Sequence, residues 1–273
     1  MASDWADVAA AYDTSFARLC AGTIPSLVSA VSALGARPVV LDVGTGTGNV
    51  AAALRDAGHL VTGVDAEPSM VEFARRRHPG IRFERSALPE LAFADDSFDA
   101  AVANFVLNHT LKPRDAAHEL ARVTRPGGLV VATIWPSEPV SPMNRLFSEV
   151  VERAGAVPLT GTRLPPEDDF PRSEHGFADL LNAAGLRDVR SQSVAWTFPI
   201  SPDDLWLAVE GGIASIGMTY RAQDASTRVA MKQAFDEVTG SADGRTLELP
   251  STAVLACGIA GDPRLTPTSP GRR

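Results

Sequence analysis

Three glycines alternate in Leu41-Asp42-Val43-Gly44-Thr45-Gly46-Thr47-Gly48, directly after a short apolar run. Glycine has no Cβ, so it allows a tight turn and lets a ligand approach the backbone. A helix opening just after such a turn aims its free N–H groups at that ligand. By itself the turn would serve equally as a tight strand-to-helix connection. Asp65 weighs against so plain a role. It ends the next apolar run, 65 − 48 = 17 residues after Gly48. A carboxylate there can accept both hydroxyls of a ribose. Its other reading is a cap for the helix that opens at Pro68. A nucleoside ligand is expected, and two kinds compete: dinucleotides and S-adenosylmethionine.

Glycine spacing separates them. Dinucleotide sites use G-x-G-x-x-G, because a pyrophosphate must sit on the helix N-terminus. Here the glycines stand at 44, 46 and 48. Asp42, just before them, would repel a pyrophosphate but attract the ammonium of a methionine moiety. Chemistry on such a cofactor needs a nucleophile held about 3 Å from the methyl carbon, in line with the sulfur. A base helps where the nucleophile is a hydroxyl or an acidic C–H. His109 follows the fourth predicted strand and titrates near neutrality, so it is the candidate catalytic base. The alternative is a loop histidine bonded to a backbone carbonyl. Asn108 beside it could orient a substrate oxygen or meet the methionine carboxylate. His175 is a weaker second base, while His59, His78 and His118 are read as structural or exposed. Tyr12, Phe16, Trp135 and Trp196 are candidate walls for a planar or apolar acceptor. Each of these four also fits an ordinary core position. No His, Cys, Asp or Glu set has metal-ligand spacing, so no metal is expected.

The elements that must position these residues alternate. Apolar runs at 38–43, 60–65, 81–84, 98–104 and 128–135 read as strands. Helices are expected at 49–57, 68–77 and 113–124 between them, which implies right-handed crossovers and a parallel sheet covered on both faces. Before the first strand, 4–35 reads as two helices. Trp5, Val8, Tyr12, Phe16 and Leu19 share one apolar face of the first. Prolines loosen the pattern from 136 to 170, where one helix is expected at 143–154. Later come a helix at 173–184, a strand at 189–198, helices at 201–209 and 226–238, and a strand from 246 to 257 or beyond. Ser201 and Pro202 are placed as N-cap and first helical residue. Residues 262–273, rich in Pro, Thr, Ser and Gly, are expected to be disordered.

The chain has 273 residues, 45% apolar and 21% charged, which suits a globular domain with a sizeable core. Its formal charge of −8 argues against a nucleic-acid partner. The basic run Arg75-Arg76-Arg77-His78 reads as the solvated last turn of a helix. Two distant cysteines, Cys20 and Cys257, suggest reduced thiols in a cytoplasmic protein. No secretory signal or membrane span is expected.

The chain resembles the class I S-adenosylmethionine-dependent methyltransferases, in the broad group that includes ubiquinone and menaquinone biosynthesis enzymes and many bacterial natural-product enzymes. Four blocks carry the resemblance, in the family's order: VLDVGTGTGNVAAAL, VTGVDAEPSMVEFAR, ALPELAFADDSFDAAVANFVLNH and ELARVTRPGGLVVATIW, over roughly residues 38–135. HGFADLLNAAGLRDVR and LPSTAVLACGIA fit the sixth and seventh strands of that fold. The implied architecture is a Rossmann-like, seven-stranded, mostly parallel α/β sheet with helices on both faces. Its last strand would insert antiparallel between the fifth and sixth. Residues 1–261 then form one domain, with 1–36 as part of a lid, 37–135 as the cofactor core, and 136–172 and 199–245 as a cap that begins after strand five. The resemblance implies that Asp42, Gly44, Thr45 and Gly46 meet the methionine moiety of S-adenosylmethionine. Asp65 would hold the ribose beside Ala66, with Met70 packing near the adenine. Ser86, Ala87 and Leu88 would line the adenine, and Asn104 and Phe105 would sit by the sulfonium. Many relatives carry Asp at the position of Ser86, and serine can still accept a hydrogen bond. Methyl transfer to a small molecule is the expected reaction, with S-adenosylhomocysteine as product. The alternatives are a non-methylating reaction on the same cofactor, or an RNA or protein acceptor. The chain is expected to act as a monomer or homodimer.

Overall fold

The structure, a computed structural model, describes residues 9–159, 164–240 and 245–261. The strands are β1 Val39–Val43, β2 Leu60–Asp65, β3 Arg82–Arg85, β4 Phe98–Asn104, β5 Thr124–Ile134, β6 Leu186–Ile200 and β7 Leu247–Ala260. They form one sheet in the order β3-β2-β1-β4-β5-β7-β6. β1 to β5 pair in parallel, and β7 runs antiparallel between β5 and β6. This is the strand insertion that the family resemblance implies. The central strands are apolar on both faces because helices cover both.

The helices are α1 Ala9–Thr14, α2 Phe16–Cys20, α3 Ile24–Ser32, α4 Asn49–Asp56, α5 Pro68–Arg77, α6 Pro113–Val123, α7 Pro142–Arg153, α8 Glu174–Ala183, α9 Pro202–Glu210, α10 Ala214–Ala222 and α11 Ala225–Thr239. A 3₁₀ turn, Ala21–Thr23, joins α2 to α3. On one face Leu120 of α6 and Phe177 and Leu181 of α8 pack over Leu41, Ala101 and Val130. On the other, Leu27 and Val31 of α3 and Leu54 of α4 pack over Val40, Val102 and Val131. A separate apolar cluster holds Phe147 of α7, Trp206 of α9, Ile216 of α10 and Phe235 of α11 against Phe198 and Leu249. It stacks the helical cap on the projecting ends of β6 and β7.

Several boundaries differ from the sequence reading. The first N-terminal helix is broken at Ser15, whose φ of −122° and ψ of −94° leave the helical region. Its hydroxyl donates to the Ala11 carbonyl at 2.5 Å, so the side chain competes with the helix for backbone partners. Trp5 and Val8 of the expected apolar face lie outside the described residues, as does the 262–273 tail. α10 is not among the expected helices; it opens just after Gly211-Gly212, between the two that are expected at 201–209 and 226–238. β5 begins at Thr124 rather than 128, since Thr124 pairs with Phe98 before a register shift. β6 begins at Leu186, ahead of a bulge between Arg187 and Arg190. Ser201 does cap α9, accepting from the Asp204 N–H at 3.1 Å, with Pro202 in the first turn.

Candidate active site

The glycine turn joins β1 to α4, at the C-terminal edge of the sheet. Gly44, Gly46 and Gly48 all take left-handed backbone, with φ of 67°, 55° and 87°. A side chain would be strained at each. The Asp65 carboxylate ties this turn to the end of β2. Its Oδ2 accepts from the Gly46 N–H at 2.9 Å and its Oδ1 from the Glu67 N–H at 2.9 Å. Burial pushes the Asp65 carboxyl above the usual carboxylate range, against those backbone donors. Below the turn, Asp42 is 1% exposed. Its Oδ2 accepts from the Thr45 hydroxyl at 2.6 Å. Oδ1 has no well-formed hydrogen bond among the described residues. Burial pushes this carboxyl up to about 7, against the pull of the Thr45 hydroxyl and the Ala51 N–H.

The N-terminal helices close over the turn. Tyr12 lies across it, with ring carbon Cε1 at 3.4 Å from where a Cβ on Gly46 would stand. Its hydroxyl donates to Cys20 Sγ at 3.9 Å. Burial raises the Tyr12 phenol and pushes the Cys20 thiol up to about 12. Between this lid and Gly44, Thr45, Thr47 and Asn49 lies a cavity of about 30 Å³. Thr47 is buried here and its Oγ1 has no partner among the described residues. Polar links fasten the lid at both sides. Asp13 pairs with Arg77 of α5, and Arg18 lies 3.7 Å from Asp204 of α9.

Asn104 ends β4 and Phe105 follows it, and the Asn104 side chain is bonded to the protein itself. Its Oδ1 accepts from Thr23 Oγ1 at 2.8 Å and Thr133 Oγ1 at 2.6 Å, and its Nδ2 donates to the Cys20 carbonyl at 3.2 Å. Phe105 has a left-handed φ of 58°. That turns its ring onto Trp135, with centroids 3.9 Å apart and planes 14° from parallel. Trp196 stands 5.9 Å from Trp135 and 6.5 Å from Phe105. Asn108 grips the Trp135 main chain, accepting from its N–H at 2.9 Å and donating to its carbonyl at 3.3 Å. This amide therefore positions Trp135 instead of offering itself to a substrate oxygen. His109 is exposed on the loop after β4, and its N–H donates to the Val106 carbonyl at 2.9 Å. Phe16 packs between the lid and the cap.

On the other side of Asp65, Ala66 is exposed and Met70 is buried beside Tyr12 and Phe73. The Ser86 N–H donates to the Asp65 carbonyl at 3.1 Å, and Ser86 Oγ accepts from the Ala92 N–H at 3.2 Å. Ala87 is exposed and Leu88 half-buried, so this loop borders the Asp65 side of the cleft. No group of three metal-capable side chains exists among the described residues. Sequence reasoning missed Thr47, Val106, Cys20 and Gly22. The first lies within the glycine motif and was legible there; the others become neighbours of the site only through tertiary packing.

The demethylmenaquinone methyltransferase of Beutenbergia cavernae is 34% identical over 170 residues, covering 58% of this chain and 70% of that protein. The chain belongs to the class I methyltransferase family. Residues 41–132 match the methyltransferase domain model, a span that includes the glycine turn, Asp65, Asn108 and His109. The demethylmenaquinone methyltransferase of Paenarthrobacter aurescens is 35% identical over 168 residues, 57% of this chain and 65% of that one. This methyltransferase thus spans about two thirds of the length of these two relatives. The solved YcgJ protein of Bacillus subtilis shares the fold, with a TM-score of 0.55 and 22% identity over 88% of this chain and 98% of that one.

Proposed function

We propose that this methyltransferase moves the methyl group of S-adenosylmethionine to a small, planar, apolar acceptor of the quinone type. The observation that carries the reading is the junction of Gly46 and Asp65. A side-chain-free turn and a half-buried carboxylate meet there through one hydrogen bond of 2.9 Å. The residues present fit this cofactor. Thr47 Oγ1 is buried without a partner among the described residues and Asp42 Oδ1 has no well-formed hydrogen bond there; a carboxylate and an ammonium would satisfy them. Asp65 can accept ribose hydroxyls with its remaining lone pairs while it holds the turn. Ala66, Met70, Ser86, Ala87 and Leu88 supply the border for an adenine.

When bound, S-adenosylmethionine supplies a methyl group already made electrophilic by the sulfonium. The chain's own share of the chemistry is to align the acceptor and exclude water. Phe105, Trp135 and Trp196 offer flat apolar surfaces next to the end of β4. Tyr12 and Phe16 close that space from the lid. His109, on the loop after β4, would take a proton from a hydroxyl or acidic C–H acceptor. Demethylmenaquinone, after which the relatives are named, is the kind of acceptor such walls would suit. Calorimetric titration with S-adenosylmethionine, S-adenosylhomocysteine and NAD tests the cofactor. Binding of the first two alone is expected, and binding of NAD instead would overturn the reading.

A further inference from the structure

Trp196 lies on β6, half-buried, with its indole Nε1 buried. Its Nε1 has no hydrogen-bond acceptor among the described residues. A buried donor without a partner destabilises the fold, and a phenyl ring would fill much the same space without that penalty. The N–H is therefore not explained by packing. Its position is informative. The ring is within 5.9 Å of Trp135 and 6.5 Å of Phe105, the residue that follows Asn104 at the end of β4. Ligands of open α/β sheets bind at such strand ends.

Gly22 packs on the face of this indole: a Cβ there would lie 2.3 Å from Nε1 and 2.4 Å from both Cδ1 and Cε2. Gly22 sits in the 3₁₀ turn between Ala21, which lines the cavity, and Thr23, whose hydroxyl holds Asn104. The cavity of about 30 Å³ is far too small for a nucleoside; small-molecule pockets run roughly 300–1,000 Å³. The turn that rests on the indole is thus part of the wall that encloses this cavity.

We infer that Trp196 recognises the acceptor through its indole N–H, and that the acceptor is a planar ring carrying a carbonyl or hydroxyl oxygen. This rests on the methyl-transfer reading and narrows its substrate. The donor is neutral, so it selects an oxygen and has nothing to offer a cation. The neighbouring rings select a flat partner.

The test follows the indole proton directly. The chain has four tryptophans, so an ¹⁵N-labelled full chain gives few indole N–H signals, and Trp196→Phe identifies the one that matters. The protein, saturated with S-adenosylhomocysteine, is titrated with 1-naphthol and separately with naphthalene. The Trp196 proton should move downfield and exchange more slowly with 1-naphthol, and should not do so with naphthalene. Trp196→Phe should weaken 1-naphthol about tenfold and leave S-adenosylhomocysteine and naphthalene affinity unchanged. An equal response to both probes, no downfield shift with 1-naphthol, or full 1-naphthol affinity in Trp196→Phe would each overturn the inference. The titration is repeated without S-adenosylhomocysteine. If that nucleoside fails to bind, the methyl-transfer reading falls, while the contrast between 1-naphthol and naphthalene still decides the role of Trp196.

Discussion

Val106 is seated on the glycine turn: a Cβ at Gly44 would come within 2.4 Å of its Cγ2. The loop after β4 and the loop after β1 therefore share one contact surface, and only glycine leaves room for it. Gly46 has more space, with its nearest neighbour, Tyr12, at 3.4 Å. Both positions have left-handed φ, at 67° and 55°, which disfavours alanine by roughly 1–2 kcal/mol. Gly44→Ala adds an overpacking term of about 1–3 kcal/mol. Thermal unfolding should rank Gly44→Ala below Gly46→Ala. Val106→Ala should rescue the steric part of the first and none of the second. Equal losses that ignore Val106 would show that the two loops do not touch.

Asp65 holds structure, and in the proposed reading it also holds the ribose. Replacing it with Ala leaves the Gly46 and Glu67 N–H groups without their acceptor, at about 1–3 kcal/mol of stability. Cofactor binding should fall below detection in calorimetry, while the far-ultraviolet circular dichroism keeps its native shape. Asp65→Asn retains one acceptor oxygen and should recover part of the stability with little of the affinity. Retained nucleoside affinity in Asp65→Ala would remove the ribose assignment.

The sequence was most legible where local signals agree with burial. β1, β2 and β4 are short apolar runs, and each sits where the run predicts. The Gly46–Asp65 link was legible as a spacing, because it joins adjacent strand ends of one βαβ unit. Asn104 and Asn108 were legible in place, but not the partners of their side chains. Both stand on the loop side of β4, where ligands bind. Yet their amides are taken by Thr23, Thr133 and Cys20 in one case and by the Trp135 main chain in the other. Those partners lie 27 to 84 residues away, and no local pattern announces them. Gly22 was invisible for the same reason, since only the packed indole of Trp196 explains it.

The grip of Asn108 on Trp135 and the exposure of His109 separate two neighbouring roles. Asn108→Ala frees both polar groups of the Trp135 main chain and should lower stability by about 1–3 kcal/mol. It should raise KM for the acceptor more than it weakens S-adenosylhomocysteine. His109→Ala should leave stability and nucleoside affinity unchanged and slow turnover about 100-fold or more. A pH–rate profile that keeps its low-pH limb in His109→Ala would place the base elsewhere.

If Asp42 meets the methionine ammonium as proposed, stability and cofactor affinity should run in opposite directions with pH. Its carboxyl is pushed from 3.8 up to about 7 in the folded chain, chiefly by burial. Between these values the folded state keeps a proton that the unfolded state has lost. Stability is therefore greatest near the acid end of that window. It falls as pH rises through it, and levels off above about 7. Asp42→Asn should match wild type near pH 4 and exceed it by a growing margin towards pH 8, as read from urea midpoints. Asp65, also pushed up by burial, adds a slope of the same sign that the variant keeps. Binding of an ammonium favours the ionised carboxylate, so S-adenosylhomocysteine should bind more tightly as pH rises from 5.5 to 7.5. The gain is at most about tenfold per pH unit. Near pH 6, binding should release a proton, seen as a heat that differs between two buffers of unlike ionisation enthalpy. That difference should vanish in Asp42→Asn. Identical heats in both buffers for the wild-type chain would mean that Asp42 does not change its charge on binding, and that the ammonium is held elsewhere.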